Sequence, residues 1–425
     1  MKKNIYFHSL SLFIFLLLVL FLSGCGGSSD DRENESGTPK KTWEKFFGGS
    51  GYRAVDWARA SSIKQTSDGG YIVAGTTNSF GVEHWNTYII KIDKDGNKVW
   101  EKLYGGTDMV SASSIEQTSD GGYIVAGENW IFGEGGGVYV IKLDSDGNKV
   151  WEKTYGDVEG LYDKEGASSI EQTSDGGYIV AGTTDDAWGD VYVIKLDSNG
   201  NKVWDKTYGE SYERGAASSI QQTLDGGYIV AGEIRYESYG DIYIIKLDSD
   251  GNKVWDKIFG GKLYDCASSI QQTPDGGYVA AGYTDHPEQP FPDWILSDIY
   301  VIKLDSDGNK VWDKTYHKSY YDGASSIQQT SDGGYIIAGA TSDDNPNPSL
   351  CLDDFYIIKL DSDGNKVWDK TYGKANTEDT ASSIQQTSDG GYIVAGTSAF
   401  FDGIGNSSVS NKNHEKSVFY IIKID

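Results

Sequence analysis

A block close to ASSIQQTSDGGYIVAG, followed after a variable gap by YIIKLDSDGNKVWDKTYG, recurs seven times along the chain, the last copy stopping short. Marker isoleucines at Ile63, Ile115, Ile170, Ile220, Ile270, Ile327 and Ile384 set a period of 50 to 57 residues. Each period holds four strand-like runs bounded by turn residues, a unit that covers its apolar faces only by stacking on its neighbours. The pattern predicts an all-β, seven-bladed β-propeller of four-stranded antiparallel blades. Repeats from about residue 41 to Asp425 leave no length for a second independent core.

In the second copy, strand A is expected over Ala112 to Thr118, B over Tyr123 to Gly127, C over Val138 to Leu143 and D over Lys149 to Tyr155. Ser119-Asp120-Gly121-Gly122 and Asp144-Ser145-Asp146-Gly147-Asn148 supply the A–B and C–D turns. B and C are apolar almost without alternation, which suits sheets covered on both faces. The last copy lacks a D strand, whereas Lys41-Thr42-Trp43-Glu44-Lys45-Phe46-Phe47 is a D strand with no A, B or C before it. The N-terminal strand is therefore expected to complete the last blade and remove its exposed edge.

The first residues follow another logic. Lys2 and Lys3 precede an apolar run from about Leu10 to Leu22, as in a secretory signal. Leu22-Ser23-Gly24-Cys25 resembles the lipobox of bacterial lipoproteins, which implies cleavage before Cys25 and a lipid on its sulfur. Several acyl chains on one residue hold firmly, each buried methylene contributing about 0.8 kcal/mol. Residues 1–24 then read as signal peptide, 25–40 as a flexible Gly/Ser-rich tether and 41–425 as the propeller. This places the body at the bacterial cell envelope, held to the membrane through lipid alone, as a monomer. A formal net charge of −26 repels phosphate backbones and makes nucleic acid a poor partner. Beyond Cys25 only Cys266 and Cys351 remain, too few to build a disulfide framework, though the two could pair with each other.

The hairpin YVIKLDSDGNKVWEKTYG, Tyr139 to Gly156, resembles the repeat of pyrroloquinoline-quinone-type propellers, in which Leu-Asp, a glycine turn and a Trp recur in each blade. It is also loosely similar to the Asp-box hairpin of sialidase-type propellers. The resemblance implies that Trp43, Trp100, Trp151, Trp204, Trp255, Trp312 and Trp368 pack between neighbouring blades. Quinoproteins of that family usually have eight blades and a dedicated ligand set; neither is found here, so no cofactor is expected. A sialidase-like site needs an arginine triad, and the repeats contain only Arg53, Arg59, Arg214 and Arg235.

The A–B and C–D turns open on one end of a propeller and are nearly identical between copies, as a face built for folding would be. The B–C and D–A connections differ in length and sequence, and variable loops on a rigid scaffold are where binding resides. All five Trp outside the repeat position, Trp57, Trp85, Trp130, Trp188 and Trp294, fall there. With Tyr236, Tyr239, Asp186, Asp190, Asp293 and Asp354 they form the candidate ligand-binding set; plugging of the channel by the same aromatics is the competing reading. Rings beside carboxylates suit a sugar, and equally a basic protein surface. No catalytic residue is singled out, because Asp is too abundant for any chosen pair to mean much. No metal is expected either. The Asp-x-Asp-x-Asn turns resemble a calcium loop, but the twelfth position counted from Asp144 as the first is Tyr155, in place of a bidentate carboxylate. Two functions remain: a non-enzymatic module binding a glycan or protein, and an envelope protein-assembly scaffold. A carbohydrate-active hydrolase or lyase is third.

Overall fold

Alternating apolar runs and Gly/Asp turns fold as the repeats require. The computed structural model describes residues 39–48, 57–80, 82, 84–106, 108–131, 135–156, 166–184, 189–209, 214–236, 239–261, 263–287, 295–342, 352–400 and 416–425. Strands group into seven antiparallel sheets, and in each the order along the sheet is A, B, C, D. The A strands of successive blades touch one another all round the ring and so line its channel.

Closure is as expected: Lys41–Phe47 pairs antiparallel with the last C strand, Lys416–Ile424. The seam is tied by Lys40 N to Asp425 O (2.7 Å), Asp425 N to Lys40 O (2.9 Å) and the Thr42 hydroxyl to the Asp425 carboxylate (2.7 Å). The second blade departs from expectation. Its A strand is split into Met109–Val110 and Ser114–Gln117, while B (Tyr123–Ile131) and C (Gly135–Leu143) run longer. Pairing continues through Trp130↔Gly136 and Ile131↔Gly135, so the variable loop begins further out than its sequence suggests.

Among the described residues, seven apolar clusters form the core, and each is shared by two adjacent blades. In one, Ile63 and Tyr71 of the first blade pack with Phe419 and Ile421 of the last. Every conserved Trp meets the B-strand Tyr of the next blade edge-on, as Trp100 meets Tyr123 at 6.0 Å and Trp43 meets Tyr71 at 6.1 Å. Such pairs contribute about 0.5–1.5 kcal/mol beyond the area they bury. The same indole lies on the C–D turn glycine of that blade. A Cβ on Gly147, whose φ is +74°, would stand 2.9 Å from Trp100, so both space and conformation require glycine.

Polar groups complete the joints. The Ile270 amide donates to Ser219 Oγ of the preceding blade (3.3 Å) and Ile63 closes the circle on Ser383 Oγ (3.3 Å). The serine before each acceptor is bulged out of the A–B ladder, as between Ala217 and Ser219. The glutamine pair works in both directions. Gln221 accepts from the Gln272 amide of the next blade (2.6 Å), and Gln272 accepts from the Leu224 amide of the previous one (2.8 Å).

Each blade also buries one lysine on strand C: Lys91, Lys142, Lys195, Lys246, Lys303, Lys359 and Lys423. Its ammonium reaches the Asp of the A–B turn, as Lys142 reaches Asp120 at 2.9 Å, and caps the carbonyl of Leu143 at 3.0 Å. Burial disfavours the Asp120 charge, but the Thr118 hydroxyl, the Lys142 ammonium and the Gly122 amide outweigh it and hold the carboxyl at about 2. The folded pKa lies below the unfolded one, near 4. The stabilisation is therefore complete above pH ~4 and lost as pH falls towards 2 in the first six blades, and Asp389 of the last is held low in the same direction.

Two outcomes follow. Deleting residues 41–47 lowers the thermal midpoint by more than 10 °C on the order of a lost strand-sized core, whereas deleting 26–38 leaves it unchanged; equal midpoints contradict the closure. Asp120→Asn costs about 2–3 kcal/mol because a buried ammonium loses its counter-charge, whereas Lys142→Met costs under about 1 kcal/mol because water serves the outward carboxylate. Urea titration at pH 7 checks the order of the two.

Candidate functional site

The two ends of the ring differ in construction. At the C–D turns, Asp144 Oδ1 accepts from the amides of Asp146 (3.0 Å) and Asn148 (2.7 Å), and Oδ2 accepts from the Asn148 side chain (2.9 Å). Both oxygens are committed to the turn, so the Asp-x-Asp-x-Asn motif is a cap.

At the other end the blades diverge. Trp57 and Trp85 meet edge to face at 5.4 Å, Arg59 lies 5.6 Å from the Trp57 ring, and Trp85 is 43% exposed. Trp130, 40% exposed, extends the long hairpin of the second blade opposite Met109. In the fourth blade Tyr236 and Tyr239 face each other in register across the B–C hairpin tip. Just inside it, Arg235 donates to Glu233 (2.8 Å) and to the Tyr264 hydroxyl, which in turn donates to Glu233. The Arg235 guanidinium stands 4.9 Å from the Tyr264 ring, and Tyr264 stacks on Tyr283. This is a partly exposed aromatic–ionic cluster built from arginine and tyrosine, residue types enriched at the centres of binding surfaces. Beneath it Cys266 is a free thiol, pushed up to about 12 by burial and then by the Glu233 charge.

The carboxylates sort differently from the aromatics. Asp190 and Asp354 each sit two residues before a C-strand tyrosine, against the glycine that follows strand D. A Cβ on Gly209 would fall 2.1 Å from Asp190 Oδ1, and one on Gly373 would fall 1.7 Å from Asp354 Oδ1. Both therefore lie against the D–A connection. In the fifth blade His317 replaces that glycine, and its Nδ1 lies 2.8 Å from Asp298. Asp298, His317 and Asp322 bring three ligand atoms within 4.8 Å of one another, the arrangement among the described residues most able to hold a metal ion. Asp322 also anchors its loop, accepting from the amides of Lys318 (2.6 Å) and Ser319 (2.9 Å) and the Thr341 hydroxyl (2.5 Å).

Asp186, Trp188, Asp293, Trp294, Cys351 and the lipidation residue Cys25 lie outside the described residues, as do the side chains of Tyr236 and Tyr239. Sequence reasoning missed the Arg235–Glu233–Tyr264 cluster, whose members come from two blades. It also missed the buried lysines, hidden inside runs that read as apolar.

Fold and faces together define a repeat propeller that presents one rim of divergent loops. Residues 59–257 match the family model described as outer membrane protein assembly factor BamB. Comparison with curated proteins gives no match. Among solved structures, the Chaetomium thermophilum Sqt1 bound to the N-terminus of ribosomal protein L10 is 12% identical, with 89% of this chain and 98% of that chain covered and a TM-score of 0.48. A Dyadobacter fermentans protein of unknown function is 13% identical, with 92% and 100% covered and a TM-score of 0.46.

The raised thiol gives a direct check on the Arg235–Glu233 cluster. Native protein at pH 8 should alkylate at Cys266 at least 100-fold more slowly than unfolded protein, since the thiolate is the nucleophile. Peptide mapping after iodoacetamide reads it, and equal rates contradict the burial described.

Proposed function

We propose that this chain is a non-enzymatic, lipid-anchored propeller of the bacterial cell envelope whose B–C/D–A face binds a protein partner and serves as an assembly scaffold. The observation that carries the reading is the placement of divergence. Blades alike in their cores differ where Trp57, Trp85 and Arg59, and then Arg235 and Tyr264, cluster on one rim. Rigid aromatics with arginine at the centre of a patch are what bind protein surfaces strongly. The repeat match to an outer-membrane assembly factor supports the same reading. Once signal peptide 1–24 is removed, lipidated Cys25 and tether 25–40 would hold the ring 41–425 beside the membrane as a monomer.

A glycan ligand is the second reading, favoured by the exposed Trp85 and Trp130 indoles, on which a pyranose face could stack. Trp188, Trp294, Tyr236, Tyr239, Asp186 and Asp293 stay in the proposed surface; Asp190 and Asp354 enter it as supports of the loops.

Affinity purification from envelope extract separates the readings. A membrane-protein complex should co-purify, and Trp85→Ala with Trp130→Ala should cut its recovery at least tenfold while the thermal midpoint holds. Undiminished recovery overturns the assignment of the face, and retention of a defined sugar in its place selects the glycan reading. Cys25→Ser should move the protein from the detergent phase to the aqueous phase; unchanged partition contradicts the anchor.

A further inference from the structure

The end of the channel at the A–B turns is nearly uniform in sequence, and its few departures from the repeat fall together. The first glutamine of the QQT motif stands in four copies, as Gln221, Gln271, Gln328 and Gln385, but its place is taken by Lys64, Glu116 and Glu171 in the first three blades. These positions lie on A strands, which line the channel. Lys64 pairs with Glu116 at 2.6 Å, so the charge introduced in the first blade is matched by the second. Glu171 feels the same ammonium only at longer range, as a second carboxylate beside the pair. It accepts the Gln222 amide at 2.5 Å, as a glutamine there would, and no ion pair reaches it among the described residues.

Glu116 and Glu171 face a cavity of about 460 Å³ whose other walls are Ser67, Gln117, Thr118, Ser119, Gly121 and Gln172. Every lining side chain is polar. Further round the same end, a cavity of about 640 Å³ has Leu224 and Pro274 on its lip. Both stand where the other copies have serine, and Leu224 is 83% exposed, the most exposed of the large apolar side chains described. An unneeded carboxylate and an unneeded leucine thus sit on one mouth, each replacing a residue that the ring itself favours.

We infer that this mouth is a second binding site, which takes the lysine or arginine side chain of a partner segment against Glu171 and Glu116 and an adjacent apolar side chain against Leu224. The ligand chemistry follows from charge complementarity and from the polar cavity, which is large enough to admit a long cationic side chain. Burial pushes the Glu171 carboxyl up to about 7, the Gln222 amide opposing the rise, Glu116 adding to it and the Lys64 charge again opposing it. Binding a cation there favours the ionised form, so affinity should climb as pH passes through that value. The site lies at the opposite end from the divergent loops and does not rest on the reading of that face.

The test uses the full chain in detergent and a labelled Leu-Lys-Leu-Lys-Gly peptide followed by fluorescence anisotropy at fixed salt. Affinity should rise about tenfold from pH 6 to pH 8. Glu171→Gln, which restores the residue of the other copies and so preserves the joint, should lose about tenfold at pH 8 and flatten the pH dependence. Leu224→Ser should lose severalfold without changing that dependence. Asp146→Asn removes the same charge from an exposed C–D turn at the same end and should leave affinity unchanged. Binding unaffected by Glu171→Gln overturns the site. So does an equal loss in Asp146→Asn, which would show attraction to the acidic surface as a whole.

Discussion

Everything in this ring depends on how one blade holds the next. Within a blade the backbone ladder joins strands, but among the described residues no ladder crosses between blades and only single backbone bonds do, such as Val110 N to Trp85 O at 2.9 Å, so the joint is made mainly of side chains. The indole of strand D fills the gap, edge-on to a buried tyrosine and flat against a turn glycine that has no Cβ to spare. Burying a tryptophan in this way contributes several kcal/mol, of the order lost when such a residue is truncated to alanine. The serine, glutamine and lysine bonds add little net energy but satisfy buried polar groups that would otherwise cost 1–3 kcal/mol each. Repetition follows from this, because any blade with a different joint would fit neither neighbour.

The seam between the sixth and last blades shows what the joint requires. At four other joints a tyrosine ends strand D and donates to the carbonyl of the next turn glycine, as Tyr208 does to Gly251 at 2.6 Å and Tyr316 to Gly364 at 2.6 Å. The last blade has no C–D turn, since its D strand is Lys41–Phe47, paired from the other end of the chain with the C strand Lys416–Ile424. Tyr372 Oη is accordingly buried with no partner among the described residues, and Lys370 turns to the carbonyl of Pro39 at 2.8 Å. Closing the ring with the two chain ends removes an exposed edge and leaves one imperfect joint.

Blade number, strand order and the closing strand were legible in the sequence because each is a matter of counting repeats. The tryptophans were legible through their constant place after the glycine turn. The lysine under each A–B turn was not: in Tyr-Val-Ile-Lys-Leu it lies inside an apolar run, and its aspartate stands 22 residues earlier for Lys142 and Asp120. Only the register of B against C brings them together. Of the loop-face residues, Trp85 and Trp130 are exposed as their sequence context suggests. Asp190 and Asp354 are not simply ligand-facing, because a start-of-strand carboxylate meets the backbone of the D–A connection. The channel substitutions at Lys64, Glu116 and Glu171 were visible as departures from QQT, but their adjacency needed the ring.

The most direct test of the joined ring is native-state hydrogen exchange across residues 41–47. If the N-terminal strand is the missing fourth strand, its paired amides exchange only with global opening, at the same free energy as the C strands of the middle blades. Amides at Glu44 to Phe47 exchanging orders of magnitude faster than those of Val191–Leu196, as a frayed terminus does, would contradict it.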